Sequence, residues 1–212
     1  MIAARLALAG LLVAAPLQAQ LTRYLSAGLD AGSVKLQTAP ISGTAEVLSG
    51  VVIGGSGSLS FRIVSLHGSY SEGNLTADSG NAASRDLVDG TLMLAIRPVR
   101  WLALRAGKHL RSYIGTSGTR RLETWEAGLR VEGPLVGDQV RAHVDAFRSL
   151  SASVNVGAAL SHLQGGSAGV TFHLPRAPVW GRITYRIDQA ETTDGGTETL
   201  DGIILAIGFG GR

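Results

Sequence analysis

The stretch Leu200–Gly210, which reads LDGIILAIGFG, decides the fold class. One set of alternate positions, here called one parity of the stretch, is apolar and bulky, and it consists of Ile203, Leu205, Ile207 and Phe209. The other parity is on average smaller, and it consists of Gly202, Ile204, Ala206 and Gly208. Because successive side chains of a strand point to opposite faces, this period of two predicts a β-strand with two unlike faces.

The same alternation recurs through the rest of the chain and predicts an antiparallel all-β domain. We predict about ten strands, near residues 21–32, 45–54, 58–72, 86–97, 101–113, 121–133, 138–149, 166–174, 179–191 and 200–210. Alternation also continues through Val154, Val156, Ala158 and Leu160, so the seventh strand could run further or another strand could form. Counts of eight and twelve strands therefore stay open.

The first residues have the layout of a secretory signal peptide. Arg5 precedes the short apolar run Leu6–Ala15, and Ala19 supplies a small residue at the expected cleavage site. The run is too short for a transmembrane helix, which needs about 20 apolar residues. We therefore predict a removed signal peptide at residues 1–19 and a single exported domain at residues 20–212.

Composition excludes several classes of function. The 212 residues include no cysteine, which excludes disulfides, cysteine-ligated zinc, iron–sulfur clusters and thiol nucleophiles. The net charge is only +3 and the basic residues are scattered, so no nucleic-acid partner is expected. Hydrophobic residues make up 45% of the chain and charged residues 17%, which argues against intrinsic disorder.

Two kinds of connection alternate between the predicted strands. Short turns rich in Gly and Pro are expected at Gly55–Ser58, Arg97–Arg100, Gly133–Asp138 and Pro175–Pro178. Longer polar loops are expected at Ser33–Thr44, Gly73–Arg85, Gly115–Arg121, Ser149–Gly166 and Thr192–Thr199. An up-and-down order of strands would put every short turn at one end and every long loop at the other.

Alternation alone does not decide which face is inside. A soluble barrel or sandwich would bury the apolar face, whereas an outer-membrane barrel turns that face to lipid. Aromatic residues are only 5% of the chain, and the polar parity is rich in glycine and in charges of both signs, which suits a narrow polar interior.

Aromatic residues near the strand ends are typical of the two girdles of a membrane barrel. Those near the short turns or the C-terminus are Phe61, Phe172 and Phe209, and those beside long loops are Tyr70 and Trp125. Trp101 and Trp180 fit less well, because parity predicts that both point inward.

Predicted export, the absence of a helical anchor, the even strand count and the unequal connections together resemble the small single-chain bacterial outer-membrane β-barrel proteins. The resemblance implies a closed antiparallel up-and-down transmembrane β-barrel located in the bacterial outer membrane, with membrane lipid as a partner. It also implies that assembly machinery reads a last strand that ends on an aromatic residue. Phe209 matches this pattern, but the chain continues through Gly210, Gly211 and Arg212. A soluble periplasmic barrel or sandwich is the alternative.

Inward-facing charges are the candidate functional residues of such a barrel. By parity they are Arg105, His109, Arg111, Glu126, Arg130, Glu132, Arg141, His143, Asp145, His173, Arg182, Arg186 and Asp188. Charges enclosed in a narrow lumen must pair. We predict that Glu132 faces Arg141 and that Arg130 lies diagonal to Asp145, because a slip by two residues would oppose Arg130 and Arg141.

No catalytic, metal or cofactor site is expected. Ser161 and His162 are adjacent, but neighbours in an extended segment point opposite ways. The histidines are too far apart in sequence to indicate a metal site, and Gly54–Gly57 lacks the lysine of a phosphate loop. The acidic residues Asp78, Asp86, Asp194, Glu198 and Asp201 are expected on solvated loops.

The sequence thus favours a non-enzymatic outer-membrane protein with a charge-paired lumen and long extracellular loops, in a structural or surface-interaction role. A narrow passive channel for ions or small solutes is the second hypothesis, and an outer-membrane hydrolase is the third. The ligand of the loops is left open.

Overall fold

The computed structural model describes residues 24–42, 44–78, 83–116 and 118–211. They form ten strands: β1 (Leu25–Ala39), β2 (Glu46–Phe61), β3 (Val64–Ala77), β4 (Arg85–Val99), β5 (Leu102–Gly115), β6 (Gly118–Val136), β7 (Val140–Val154), β8 (Leu160–His173), β9 (Val179–Thr192) and β10 (Thr197–Gly210). Over these same ranges, none of the chain forms a helix that is long and apolar enough to cross a membrane. The predicted signal peptide at residues 1–19 lies outside the described residues.

The strands close into one barrel. Each strand pairs antiparallel with its neighbours in sequence, and β1 pairs with β10 from Ser26↔Gly210 to Ala39↔Thr197. The predicted closed, up-and-down barrel of ten strands is confirmed. We call the end that carries residues 62–63, 100–101, 137–139 and 174–178 the turn end, and the opposite end the loop end.

Aliphatic side chains cover the outer wall from the turn end to beyond the middle of the barrel. The exposed ones include Leu29, Val51, Ile53, Leu59, Leu66, Leu92, Leu94, Leu104, Leu129, Val144, Ile183, Ile203, Leu205 and Ile207. Most alternating inward positions of the same strands carry Gly, Ser, Thr or charged residues, and the apolar exceptions include Met93, Ala95 and Ala206. This arrangement is the reverse of a soluble barrel and is that of a membrane barrel.

The predicted long loops are largely strand, which is a correction to the sequence analysis. At the loop end the strands are joined only by residues 40–45, 78–84, 116–117, 155–159 and 193–196. β1 continues to Ala39, β7 continues to Val154, and β8 begins at Leu160. Strands of 14–19 residues exceed the 9–11 residues that cross a bilayer, so the sheet extends past the apolar band.

The turn predicted at Gly55–Ser58 is also wrong, because these residues lie inside β2. The chain reverses at residues 62–63, where Arg62 adopts a positive φ of 53°. The neighbouring Gly54 serves close strand approach, since a Cβ there would lie 2.0 Å from the carbonyl oxygen of Tyr70. Gly54 therefore marks tight packing of two strand backbones and not a turn.

Exposed aromatic rings lie on the outer wall, and they include all five residues assigned to the girdles by sequence. The hydroxyl of Tyr70 donates to Glu72 at 2.7 Å, and that of Tyr185 donates to Asp201 at 3.4 Å. Each carboxylate lies nearer the loop end than the ring of the tyrosine that donates to it. These tyrosines therefore mark the boundary between the apolar band and the polar part of the outer wall. Trp101, predicted to point inward, is 56% exposed because it lies in the turn between β4 and β5.

Trp180 points inward and fills a slot between glycines of β1 and β10. Its indole N–H donates to the Ser26 hydroxyl at 3.1 Å. A Cβ at Gly208 would lie 2.2 Å from the indole and 2.4 Å from the Ala27 carbonyl oxygen, and one at Gly28 would lie 2.6 Å from the indole. The two glycines therefore make room for the ring.

We expect Gly208→Ala to lower the free energy of unfolding by about 1–3 kcal/mol, the usual cost of overpacking. Urea unfolding in detergent micelles would measure the loss, and a red-shifted tryptophan emission would report displacement of Trp180. Gly133→Ala is the matched control, because nothing lies within 4 Å of a Cβ at Gly133. Equal stability of the two variants would contradict the slot.

Candidate functional site: the barrel interior

The loop end of the interior is packed with apolar side chains. We call this group the loop-end cluster: it comprises the buried residues Val34, Leu36, Leu48, Val52, Leu75, Leu87, Tyr113, Leu122, Leu160, Leu163, Ala190 and Leu200, with Ala77, Phe147, Ala152 and Val154 packed against them. Every strand contributes at least one member. At this level the polarity of the wall is inverted, because outward positions such as Lys35, Glu72 and Gln189 are polar. The barrel here is built like a soluble protein, and its lumen is filled.

Beneath the loop-end cluster lies a layer of buried charges. This buried ion network comprises Asp89, His109, Arg111, Glu126, Arg186 and Asp188, and it joins three carboxylates to two guanidinium groups and one imidazole. All of these side chains are buried except that of Arg186, which is 27% exposed. Its pairing joins strands across the lumen as well as along the wall. Buried charges must pair in this way, because an unpaired charge in such surroundings costs several kcal/mol.

His109 and Arg111 are the centre of the network. The ring nitrogens of His109 lie 3.0 Å from Asp89 Oδ2 and 2.7 Å from Glu126 Oε1. The Nε of Arg111 donates to Asp89 at 2.8 Å, and its Nη2 donates to Asp188 on β9. Asp188 also accepts from Arg186 Nη2 at 2.7 Å and from Arg186 Nε at 3.0 Å.

A smaller ion cluster lies at the turn end. Arg105 donates to Asp145 at 2.5 Å, and Arg141 donates to Glu132 at 2.8 Å. Arg130 contacts Asp145 at 3.5 Å, and Arg182 contacts Asp30 on β1 at 3.6 Å. The contacts of Arg130 and Arg182 are longer than the hydrogen bonds of the buried ion network. The arginines at the turn end are also more exposed than the charges of that network other than Arg186.

The register predicted for the β6–β7 hairpin is wrong by two residues. Glu132 lies opposite His143 and Arg130 lies directly opposite Asp145. The predicted register needs the chain to reverse between residues 136 and 137, but it reverses at residues 137–139, and a bulge between Pro134 and Val136 then offsets one residue of the resulting shift. Both predicted pairs of opposite charge still form, but Arg130–Asp145 is now the direct pair and Glu132–Arg141 the diagonal one.

The candidate charges divide between the two layers. His109, Glu126, Arg186 and Asp188 lie in the buried ion network, whereas Arg105, Arg130, Glu132, Arg141, Asp145 and Arg182 lie in the turn-end cluster. Sequence reasoning missed Asp89, although it shares a parity with the inward Met93 and Ala95 of the same strand. The alternation along β4 was therefore the signal by which Asp89 could have been assigned to the interior.

The prediction that Glu198 lies on a solvated loop is wrong. It is buried, accepts the Tyr113 hydroxyl at 2.7 Å and pairs with Arg120. It was assigned to a loop because the polar residues around it were read as a connection, but they belong to β10.

The described residues offer little chemistry beyond pairing. His162 contacts Glu191 at 3.5 Å at the edge of the loop end, and Ser161 is its neighbour in β8. Over residues 24–42, 44–78, 83–116 and 118–211, no group of three or more His, Cys, Asp or Glu side chains is arranged to hold a metal ion.

No protein-family model matches the chain, and no curated protein matches its sequence. Solved structures do match. The translocator domain of the autotransporter NalP from Neisseria meningitidis has a TM-score of 0.50 and 11% identity, over 88% of each chain. Neisserial surface protein A has a TM-score of 0.43 and 10% identity, over 88% of this chain and 96% of its own.

The attachment invasion locus protein Ail of Yersinia pestis is also similar, with a TM-score of 0.38 and 10% identity over 87% of this chain and 98% of its own. At such low identity the likeness concerns the fold alone, and the match to the NalP domain carries it. Together with the closed antiparallel topology and the aliphatic outer wall, it shows that this chain has the fold of the bacterial outer-membrane β-barrels.

Proposed function

We propose that the protein is a non-enzymatic component of the bacterial outer membrane whose barrel does not conduct. The loop-end cluster carries this proposal, because its side chains from all ten strands pack together across that end of the lumen, where Glu198 is itself paired with Arg120. A solute path would also have to cross the buried ion network, where Glu126 and Asp188 are almost fully buried. The role that fits a filled barrel is structural or surface-interacting.

The loop end would face the cell exterior and the turn end the periplasm, as is usual for such barrels. The surface offered outside is then a stiff polar collar of extended strands, with short connections in place of the long loops expected from sequence. Membrane lipid would contact the aliphatic wall. The last strand, with Phe209 facing outward, would be read by the assembly machinery after residues 1–19 are removed.

We expect the refolded protein to give no stepwise current in planar lipid bilayers. Alanine at both Arg130 and Arg141 should also leave the barrel non-conducting, because these residues lie at the turn end and the loop-end cluster is untouched. A porin inserted from the same detergent serves as the positive control. Discrete conductance steps from the wild type would overturn the proposal and favour the channel hypothesis.

A further inference from the structure

The turn-end half of the lumen contains a cavity of about 260 Å³ that the closed-barrel role leaves unused. Its lining includes Arg130, His143, Arg182 and Thr184. We propose that this cavity binds a small oxyanion, a solute that carries a phosphate or carboxylate group and enters from the turn end. Toward the loop end the cavity is blind, because the buried ion network and the loop-end cluster lie there.

Access from the turn end follows from the exposure of the side chains. Arg105, Arg141 and Arg182 keep 25%, 29% and 28% of their side-chain surface exposed. Arg186, a member of the buried ion network that lines the cavity, keeps 27%, whereas Arg111 and Asp188 behind it keep 3% or less. Solvent therefore reaches from the turn end as far as Arg186 and stops at Arg111 and Asp188.

Two polar atoms that line the cavity have unmet hydrogen-bonding capacity. The Nε of Arg130 and the Oγ1 of Thr184 are both buried, and neither has a hydrogen-bond partner among the described residues. Buried polar groups in native proteins are nearly always paired, so an unpaired donor needs an explanation. A bound acceptor in the cavity would supply one.

Arg182 is a third donor with spare capacity. Its guanidinium lies over the Trp180 ring at 5.3 Å and contacts Asp30 at 3.6 Å, a distance too long for a hydrogen bond. Arg130 and Arg182 both line this cavity, and their like charges repel. An anion between two guanidinium groups would replace this repulsion with attraction.

His143 and Thr184 form the neighbouring part of the same wall. Gly169 pairs with His143 on one side and with Thr184 on the other. A Cβ at Gly169 would lie 2.7 Å from His143 Cε1 and 2.8 Å from Thr184 Oγ1, so both side chains use the space that this glycine leaves. Arg130 is directly opposite Asp145, two residues after His143 on β7.

Charge and geometry select the class of ligand. The charged residues that line the cavity balance in number: they are Arg105, Arg130, Arg182 and Arg186 with Asp30, Asp89, Glu126 and Asp145. Arg105 and Arg186 hydrogen-bond to Asp145 and Asp188, so the guanidinium groups with unmatched donors are those of Arg130 and Arg182. Guanidinium groups only donate hydrogen bonds, and their planar fork matches the oxygens of a carboxylate or phosphate. The unmatched donors of Arg130 and Arg182 therefore fit an oxyanion.

Calorimetry on the full barrel, refolded in detergent micelles, tests this site. Inorganic phosphate and, separately, succinate are titrated at constant ionic strength set with chloride. We expect saturable one-site binding of at least one of the two anions, weakened about tenfold or more in R130Q and in R182Q, since each removes charge-assisted hydrogen bonds. Binding of only one anion would identify the oxyanion class.

R148Q is the matched control, because Arg148 is exposed on the outer wall of β7 and should bind as the wild type does. In R130Q, Asp145 keeps Arg105 and the Ser167 hydroxyl as partners, so the barrel should fold, and heat-modifiable migration in gels would check this. If R130Q does not fold, R182Q decides. Absence of saturable heat with both anions, or wild-type affinity in R182Q, would overturn the proposal.

Discussion

Leu75→Ala is expected to lower the free energy of unfolding by about 2–5 kcal/mol, the usual cost of removing a large aliphatic side chain from a packed core. Leu75 has 0% exposure and lies in the loop-end cluster. In a membrane barrel with a water-filled polar lumen, truncation of an inward leucine would change the free energy of unfolding little, because the side chain would not be packed. The size of the effect therefore tests whether the loop end has a protein-like core.

Leu66→Ala is the matched control, since Leu66 lies on the same strand but faces outward and is 43% exposed. Its truncation removes contact with lipid but leaves no cavity, because acyl chains can fill the space, so we expect a smaller loss. Urea unfolding in lipid vesicles, followed by tryptophan fluorescence, would compare the two. Losses of equal size, or no loss in Leu75→Ala, would contradict a packed loop end.

The loop-end cluster also explains where sequence reasoning failed. Strict alternation, as at Leu94 or Leu205, predicted the strands and their outward face across the apolar band. Alternation continues through Val34, Lys35 and Leu36, but the apolar residues there point inward. The outward residues near the loop end are polar. Their polar composition therefore led to the prediction of a loop, although the period of two continues through the segment. Which face of a strand meets lipid thus changes with height in the barrel.

The charged interior was accessible to sequence reasoning only in part. Which face a side chain occupies follows from the alternation of the few residues around it. Sequence alone could therefore assign Arg105 and Asp188 to the interior. Choice of partner is not local: Arg111 on β5 pairs with Asp188 on β9, and these strands are not neighbours in the sheet. Contacts across the lumen depend on strand count and stagger, which no short segment encodes. The error in the register at Glu132 had local causes, a turn at residues 137–139 and a bulge beside Pro134.

Asp188→Asn should be among the most damaging polar substitutions in the barrel. Asp188 accepts hydrogen bonds from both Arg111 and Arg186 and has a side chain with no exposure. Asparagine keeps the shape but removes the negative charge and turns an N–H₂ group toward a guanidinium. Removing one partner of a buried ion pair costs about 3–5 kcal/mol, because the remaining charge stays buried without compensation.

Glu123→Gln is the control for the removal of a carboxylate as such. Glu123 pairs with Lys108 at 2.9 Å on the outer wall, where both side chains are exposed, and surface pairs of this kind often contribute nothing measurable. Urea unfolding of both variants beside the wild type gives the comparison. If Asp188→Asn unfolds at the wild-type urea concentration, Arg111 and Arg186 do not depend on this carboxylate. The buried ion network would then be a consequence of the barrel's closure and not one of the interactions that hold it closed.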